Sequence, residues 1–206
     1  MAVEILRDIE QGTDAWLRAR LGVPTASNFS AILARGEGKT RRSYMMKLAS
    51  EIITGEVGES FSTPAMDRGK VMEAEARELY AFLQDEPLEQ VGFVLNGNRG
   101  ASPDSLVGRN GGLEIKTQRG DLLAETLLKG DFPPEHKAQV QGNLLVCERD
   151  WWDLIVFWPR MPLFRCRVAR DEPYLKRLDD EINRFSDELQ GVVERLRKVG
   201  SEGMAA

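Results

Sequence analysis

The spacing of apolar residues in this 206-residue chain changes its period near Glu89. Before that point, Met72, Ala76 and Leu79 recur every three or four positions, as they do on one face of a helix. The segment 89–118 instead holds three short runs of strand-forming residues, separated by Asn-Gly and Asn-Gly-Gly turns. Helical spacing returns further along the chain. The sequence is therefore expected to combine helices with a sheet.

The remaining pattern predicts the other elements. A short helix is expected after Thr25 or Ser27, because either residue suits an N-cap. Near the end, apolar residues alternate at spacings of three and four, which predicts one long amphipathic helix over 174–199. That helix either packs on its own domain or forms a coiled-coil contact. Further helices are predicted over 43–54, after Pro64, over 121–128 and over 135–146, and strands over 151–159 and 164–170.

Composition limits the class of protein. With 42% hydrophobic and 30% charged residues, the chain has the profile of one globular domain, predicted to span residues 1–206. The net charge of −5 and pI of about 5.2 disfavour a protein that coats nucleic acid non-specifically. Against this balance, residues 35–47 hold five basic residues and one acidic residue, and glycines predict a loop at their start. Arg41 and Arg42 are therefore either contacts to a DNA backbone or part of a solvated loop.

The start of the chain indicates a compartment. It lacks the basic residues and the apolar run of a signal peptide, and no stretch approaches the roughly 18 apolar residues that span a membrane. We therefore expect a cytosolic protein without a membrane partner. Cys147 and Cys166 are expected to be reduced thiols, since neither has a CxxC neighbour.

Two charged residues of one predicted strand share a face. Because side chains alternate along a strand, Glu114 and Lys116 point to the same side and their apolar neighbours point into the core. A turn through residues 108–112, which hold three glycines, folds this strand back on the previous one. That turn can bring Asp104 beside Glu114, so two carboxylates converge on one point.

Two converging carboxylates suit Mg²⁺ or Mn²⁺, since hard divalent ions take oxygen ligands, and the carbonyl of Ile115 can add a third. A nearby lysine then suits phosphodiester hydrolysis. The metal lowers the pKa of its water, and the ammonium of Lys116 positions that water or offsets developing charge. From the residues alone, the alternative is a solvated hairpin with a surface salt bridge.

Five blocks of the chain extend this motif. They are EQGTDAWLRARLGVPTAS at 10–27, RGKVMEAEAR at 68–77, ASPDSLV at 101–107, GLEIK at 112–116 and AQVQ at 138–141. Together they resemble the PD-(D/E)xK nuclease superfamily and, within it, the phage lambda exonuclease or YqaJ-type viral recombinase family. The resemblance implies an α/β fold with a restriction-endonuclease-like core, in which helices flank a central mixed sheet.

The same resemblance implies an activity and partners. The expected activity is Mg²⁺-dependent 5′-to-3′ digestion of one strand of linear duplex DNA from a 5′-phosphorylated end. A 3′ single strand then remains for recombination by annealing. The expected assembly is a homotrimeric ring around the DNA, and the expected partner is a single-strand annealing protein.

Roles follow for individual residues through the resemblance. Asp104 and Glu114 match the family's metal ligands, and Lys116 matches its catalytic lysine. Glu73 matches a helix carboxylate that faces the same site, and Gln139 matches a helix residue that lines it. These five residues form the expected catalytic centre.

Three further residues match or assist the family's site for the 5′-terminal phosphate. Arg20 and Ser27 match the binding residues, and Ser102 is expected to assist them. An arginine fork and a hydroxyl at a helix N-terminus are natural phosphate ligands. Two positions depart from the family. Ser105 replaces the usual glycine after Pro-Asp, which alters the turn. Gly142 replaces the usual aromatic after AQVQ, which bears on how that helix supports the site.

Three other classes of function remain open at this stage. A PD-(D/E)xK endonuclease or junction resolvase would use the same residues but cut closed circular DNA. A non-catalytic DNA-end-binding protein would carry a decayed site. A protein-binding module built on the terminal helix would need its stripe at Ile182, Phe185 and Leu189 to be accessible.

Overall fold

The computed structural model describes residues 2–34, 39–57, 64–84 and 86–203. Of the loop predicted at the start of residues 35–47, positions 35–38 lie outside these ranges. The α-helices are α1 (Asp14–Arg20), α2 (Phe29–Leu33), α3 (Lys39–Thr54), α4 (Pro64–Leu83), α5 (Gly120–Lys129), α6 (Lys137–Cys147) and α7 (Glu172–Gly203). The strands are β1 (Glu4–Leu6), β2 (Leu88–Glu89), β3 (Phe93–Asn96), β4 (Arg99–Ala101), β5 (Ser105–Val107), β6 (Gly111–Thr117), β7 (Trp151–Phe157) and β8 (Phe164–Ala169). Short 3-10 helices precede α2 and α6.

A five-stranded mixed sheet forms the centre of the molecule. Its strand order is β2-β5-β6-β7-β8, with β6 and β7 parallel and the other neighbours antiparallel. Helix α4 packs on one face through Ala76 and Tyr80, and α6 lies over the other face through Val140 and Leu144. A three-stranded antiparallel sheet, β1-β3-β4, also contacts α6. The expected α/β fold with a central mixed sheet flanked by helices is confirmed.

The middle of the three predicted strand runs is in fact two strands. Strand β4 belongs to the three-stranded sheet and β5 to the five-stranded sheet, so the chain crosses between sheets at residues 102–104. The predicted count of three runs was too low here, because one strand ends at Ala101 and the next begins at Ser105. The crossing carries Asp104, which therefore lies where two sheets meet.

The predicted turn through residues 108–112 was wrong in its second half. The turn covers 108–110, and Gly111 and Gly112 are the first residues of β6. A Cβ atom at either position would lie 2.2 Å from the ring of Trp151 or Trp152 on β7. Strand β6 therefore needs glycine where the two tryptophans lie against it.

The long terminal helix packs on its own domain. Leu178, Ile182 and Phe185 are fully buried and Leu189 is nearly so, in a core shared with α2, α3 and α6. Because this stripe is covered, it is not accessible to another protein in the way that the protein-binding module requires. Helix α7 starts slightly before the predicted segment, and α3 begins at Lys39, four residues before its predicted start.

Two smaller expectations also have an outcome. Cys147 and Cys166 are free thiols, as expected. Within the described ranges, no helix combines the length and the apolar character that crossing a membrane requires.

Candidate active site

The crossing between the two sheets places Asp104 against β6. Ser105 lies opposite Leu113 in the antiparallel register of β5 and β6, so the residue before it reaches the stretch around Glu114. One carboxylate oxygen of Asp104, Oδ2, accepts a hydrogen bond from the backbone N–H of Ile115 at 2.5 Å. The strand alternation expected from the sequence holds, because Lys116 Nζ donates to Glu114 Oε1 at 2.7 Å.

Helix α6 supplies two amides to the same carboxylate. Gln139 Nε2 donates to Glu114 Oε1 at 2.6 Å, and its Oε1 accepts from Lys116 Nζ at 3.0 Å. Asn143 Nδ2 donates to Glu114 Oε2 at 2.9 Å. Sequence reasoning missed Asn143. The available signal was its spacing of four from Gln139, which places both side chains on one face of the helix.

The site holds more negative than positive charge. Burial raises the pKa of the Asp104 carboxyl well above its usual range, and the charges of Glu114 and Glu73 raise it further. Burial alone would lower the pKa of Lys116, but the three carboxylates outweigh it and raise that pKa. Lys116 is therefore an ammonium at neutral pH, and its single charge is shared among several acidic groups.

Glu73 approaches the site from α4. It is half-buried and accepts from Arg77 Nη2 at 2.5 Å, one turn further along the helix. Its influence on the pKa of Asp104 shows that the two carboxylates lie within electrostatic range. Glu73 lines the same cleft as Asp104, while Glu75 and Glu78 of the same helix are exposed.

Arg20, Trp16 and Ser102 form a second polar group beside the carboxylates. Arg20 Nη1 and Trp16 Nε1 both donate to Ser102 Oγ, at 2.7 and 2.9 Å, and the guanidinium lies 4.2 Å from the centre of the Trp16 ring. Burial lowers the pKa of Arg20. Within the described part of the chain, no carboxylate lies within 4 Å of this guanidinium. The group is thus a half-buried cation without a close anionic partner.

One cleft joins these two groups. It has a volume of about 1090 Å³, and Arg20 and Trp16 line it together with Asp104 and Glu73. Gln11 secures one wall, since its amide donates to the carbonyls of Val91 and Pro103. An anion bound at Arg20 would therefore lie in the same space as the acidic residues.

Ser27 lies beside this cleft but does not line it. Its hydroxyl lies 3.3 Å from that of Thr25, and Asn28 Nδ2 donates to it at 3.2 Å. Ser27 is exposed, whereas Thr25 and Asn28 both line the cleft. These two polar residues belong to the candidate site, but sequence reasoning considered Thr25 only as an N-cap and did not consider Asn28, which directly follows the block at 10–27.

Arg41 and Arg42 lie outside the cleft, on α3. Arg41 donates to both carboxylate oxygens of Glu188 on α7, at 2.6 and 3.0 Å, and lies over the ring of Phe185. Arg42 is exposed. The structure thus does not bring these two arginines together with Arg20.

The two departures from the family pattern are accommodated. Ser105 is fully buried, and its hydroxyl donates to the carbonyl of Asp104 at 2.6 Å. A Cβ atom at Gly142 would lie 2.5 Å from the ring of Phe29. Glycine therefore lets α6 approach α2, and a larger residue would conflict with Phe29. Gln139 still contacts Glu114 in this arrangement.

The donor atoms at the site fit a divalent cation. Asp104, Glu114 and the carbonyl of Ile115 offer oxygen ligands only, which suits Mg²⁺ or Mn²⁺ better than a soft metal. Burial raises the pKa of Asp104, and the neighbouring carboxylates Glu114 and Glu73 raise it further, so a cation beside Asp104 would favour its charged form. Across the described ranges, no group of three or more His, Cys, Asp or Glu side chains forms a metal cluster. A cation here would therefore also need backbone or water ligands.

A mixed sheet with this Asp-Glu-Lys arrangement defines the protein as a nuclease of the restriction-endonuclease-like class. The model of the YqaJ-like viral recombinase domain matches residues 15–150. The chain belongs to that family. No curated protein matches the sequence.

Solved structures agree with the family. The chain is 31% identical to LHK-Exo in complex with dAMP, with a TM-score of 0.85, covering 92% of this chain and 99% of that one. It is 30% identical to LHK-Exo described as an alkaline exonuclease from Laribacter hongkongensis, with a TM-score of 0.83 and the same coverage. A phage-related exonuclease from Haemophilus somnus, 15% identical with a TM-score of 0.59, covers 85% of this chain and 95% of that one, and shares the fold.

Proposed function

We propose that this chain is a Mg²⁺-dependent 5′-to-3′ exodeoxyribonuclease that digests one strand of linear duplex DNA from a 5′-phosphorylated end. The observation that carries the proposal is one cleft lined both by the half-buried guanidinium of Arg20, which has no close carboxylate, and by the carboxylates of Asp104 and Glu73. An anion site and a cation site side by side suit a terminal phosphate and the next phosphodiester.

Arg20 and Ser102 would bind the terminal phosphate. The hydroxyl of Ser102 already accepts two hydrogen bonds, so its own proton is free to donate to a phosphate oxygen. Trp16 keeps the guanidinium in place by stacking. Thr25, Asn28 and the nearby Ser27 would add polar contacts. Binding of the terminal phosphate here would place the next phosphodiester at the site of cleavage.

Mg²⁺ or Mn²⁺ would be held by Asp104, Glu114 and the carbonyl of Ile115. Such an ion, when bound, lowers the pKa of a water and polarises the scissile phosphate. Lys116, kept protonated by its acidic neighbours, offsets developing charge rather than acting as a base. Gln139 orients both Lys116 and Glu114. Glu73 adds negative charge from α4, which packs on the face of the central sheet opposite to α6.

The chemistry regenerates its own substrate. Water adds to the phosphorus, the bond to the 3′ oxygen of the terminal nucleotide breaks, and that oxygen takes a proton. The shortened strand keeps the phosphate at its 5′ end, ready for Arg20, and a nucleoside monophosphate leaves. The complex of LHK-Exo with dAMP supports this reading, since dAMP is a product of this kind.

The assembly and partners are part of the proposal. A single copy of 206 residues is too small to enclose duplex DNA, so a homotrimeric ring would supply the enclosure. Arg42, exposed on α3, is proposed to contact the DNA backbone, and Arg41 joins it only if its pair with Glu188 opens. A single-strand annealing protein would receive the 3′ strand, in the cytosol of the host cell.

Digestion of three substrates in Mg²⁺ tests the activity. Linear duplex with a 5′ phosphate should release mononucleotides from its 5′ ends and leave 3′ single strands, linear duplex with a 5′ hydroxyl should be degraded more slowly, and closed circular duplex should survive. EDTA should stop the reaction. Cutting of the closed circle would instead establish an endonuclease or junction resolvase, and binding of ends without cleavage would establish a DNA-end-binding protein.

A further inference from the structure

The carboxylate of Glu114 is held at both of its oxygens by one face of α6. Gln139 donates to Oε1 at 2.6 Å and Asn143 donates to Oε2 at 2.9 Å. The two amides are one helical turn apart, and α6 packs over the face of β6 that carries Glu114. With both oxygens engaged, the plane of the carboxylate has one orientation.

Asn143 and Gln139 differ in what else they contact. Gln139 is half-buried and also accepts from Lys116, so it takes part in the charged centre. Asn143 is 1% exposed, and its amide donates a hydrogen bond to Glu114 within the protein interior. A buried amide costs free energy unless it is hydrogen-bonded, and the neighbours of Asn143 in α6 include the buried Val140 and Leu144. This contact accounts for a polar residue at that depth.

We infer that Asn143 is a positioning residue that fixes Glu114 for binding a divalent cation. It does not touch the substrate, and it acts through the orientation of one carboxylate. The inference rests on the proposed function, because it assumes that Glu114 is a metal ligand. Partners that orient metal ligands typically change metal affinity or activity by about 10–100-fold when they are removed.

The test compares Asn143→Leu with Gln141→Leu. Gln141 is a matched control because it is 2% exposed and lies in the same helix, but its amide bonds the carbonyl of Ala169 and the N–H of Asp171 instead of Glu114. Titration calorimetry with Mn²⁺ alone measures metal affinity, thermal unfolding measures stability, and digestion of linear duplex at increasing Mn²⁺ measures the metal requirement.

We expect Asn143→Leu to weaken Mn²⁺ binding by about 10–100-fold and to shift cleavage to higher Mn²⁺, with the rate recovering at saturation. Asn143→Ala, which removes the same donor without adding bulk, should do the same. Gln141→Leu should lower the unfolding temperature and leave Mn²⁺ affinity unchanged. Equal weakening by the Asn143 and Gln141 variants would make the effect a general packing defect and overturn the inference.

Two failures are distinguishable. If the unaltered protein neither binds Mn²⁺ nor cleaves DNA, the proposed function itself is wrong. If the unaltered protein does both, and the Asn143 variants match it in Mn²⁺ affinity and metal requirement, the nuclease stands and the positioning role of Asn143 is wrong.

Discussion

Two buried carboxylates lie on neighbouring strands of the central sheet and face opposite sides of it. Glu114 of β6 points toward α6, and Asp153 of β7 points toward Tyr80 of α4. They are 3% and 0% exposed, so burial does not distinguish them. The charge that surrounds each one does.

Asp153 is a single negative charge paired with two arginines. Arg167 pairs with it at 2.8 Å, Arg165 at 2.9 Å, and Tyr80 donates to it at 2.6 Å. Every neighbour is a donor, and the two arginines outnumber the single carboxylate. The charge of a buried carboxylate surrounded in this way is neutralised by the protein's own side chains, so its role is structural.

Glu114 has fewer cations than the carboxylates around it require. Lys116 is the ammonium that contacts it, while Asp104 and Glu73 add two further negative charges nearby. The difference teaches how to separate structural from functional acids in this fold. Where the protein's own cations outnumber the carboxylates, the negative charge is neutralised within the fold. Where carboxylates outnumber the cations, the excess negative charge favours binding of a cation from solution.

The largest effect expected is on cleavage. Glu114→Gln keeps the shape of the side chain and removes its charge, so we expect cleavage of linear duplex to fall by at least about 10²–10³-fold, and Lys116→Ala to do the same. DNA binding, measured by fluorescence anisotropy in Ca²⁺, and the circular dichroism spectrum should be largely kept. If Glu114→Gln cleaves DNA at the wild-type rate, Glu114 is not the functional acid of the two.

The matching substitution on the other strand should act on stability instead. Asp153→Asn leaves Tyr80 and two partly exposed arginines facing a neutral amide, and losing hydrogen bonds to a charged group costs about 1.5–3 kcal/mol. Urea unfolding measures the loss. Under conditions where the variant is folded, its cleavage rate per active molecule should stay close to that of the wild type. A selective loss of cleavage with unchanged stability would reverse the roles assigned to the two acids.

The third effect concerns the anion site. Arg20→Gln removes the guanidinium that contacts Ser102, and hydrogen bonds to charged groups contribute about 1.5–3 kcal/mol. We therefore expect kcat/KM on 5′-phosphorylated ends to fall by about 10–100-fold, with little preference left over 5′-hydroxyl ends. Arg18→Gln is the matched control, because it removes the same charge from an exposed position of α1. If both variants keep the full preference for 5′-phosphorylated ends, Arg20 does not recognise the terminal phosphate.

The smallest effect expected is a change in pH dependence. Because the pKa of Asp104 is raised in the folded state, the folded protein keeps a proton that the unfolded chain releases. Without metal, stability should therefore fall as pH rises from the ordinary carboxyl range toward the raised pKa, by at most about 1.4 kcal/mol per pH unit. For a chain of this size, that is at most about 3–6 °C per pH unit.

Asp104→Asn should flatten this dependence, as thermal unfolding in EDTA across the acidic to neutral range will show. A wild-type protein whose unfolding temperature rises steadily over that range, and by the same amount in the variant, would contradict the charge deficit at the site.

Part of the site could be predicted from sequence because strand geometry is local. The spacing of two between Glu114 and Lys116 places them on one face of any strand, and the structure joins them at 2.7 Å. The turn was predicted less well. Gly111 and Gly112 look like turn residues, and only the tryptophans of β7, some forty positions later, make them strand.

Other parts depend on contacts between distant segments. Asp153 lies in the apolar run WWDLIVFW, and its arginine partners on β8 follow from antiparallel pairing with β7 rather than from spacing. Asn143 has a local signal, the spacing of four from Gln139, but nothing in α6 alone says which face meets Glu114. Thr25 and Asn28 enter the cleft only because the segment after α1 folds against β4.

The sequence by itself determined the alternation of helices and strands, the shared face of Glu114 and Lys116, and the blocks that place the chain in its family. These depend on residue types and on spacings within one element. Tertiary structure alone decided the balance of charge around each buried acid, the joining of Arg20 and Asp104 in one cleft, and the depth of Asn143. Those properties depend on which distant segments meet, and electrostatic energy depends on distances that the order of residues along the chain does not specify.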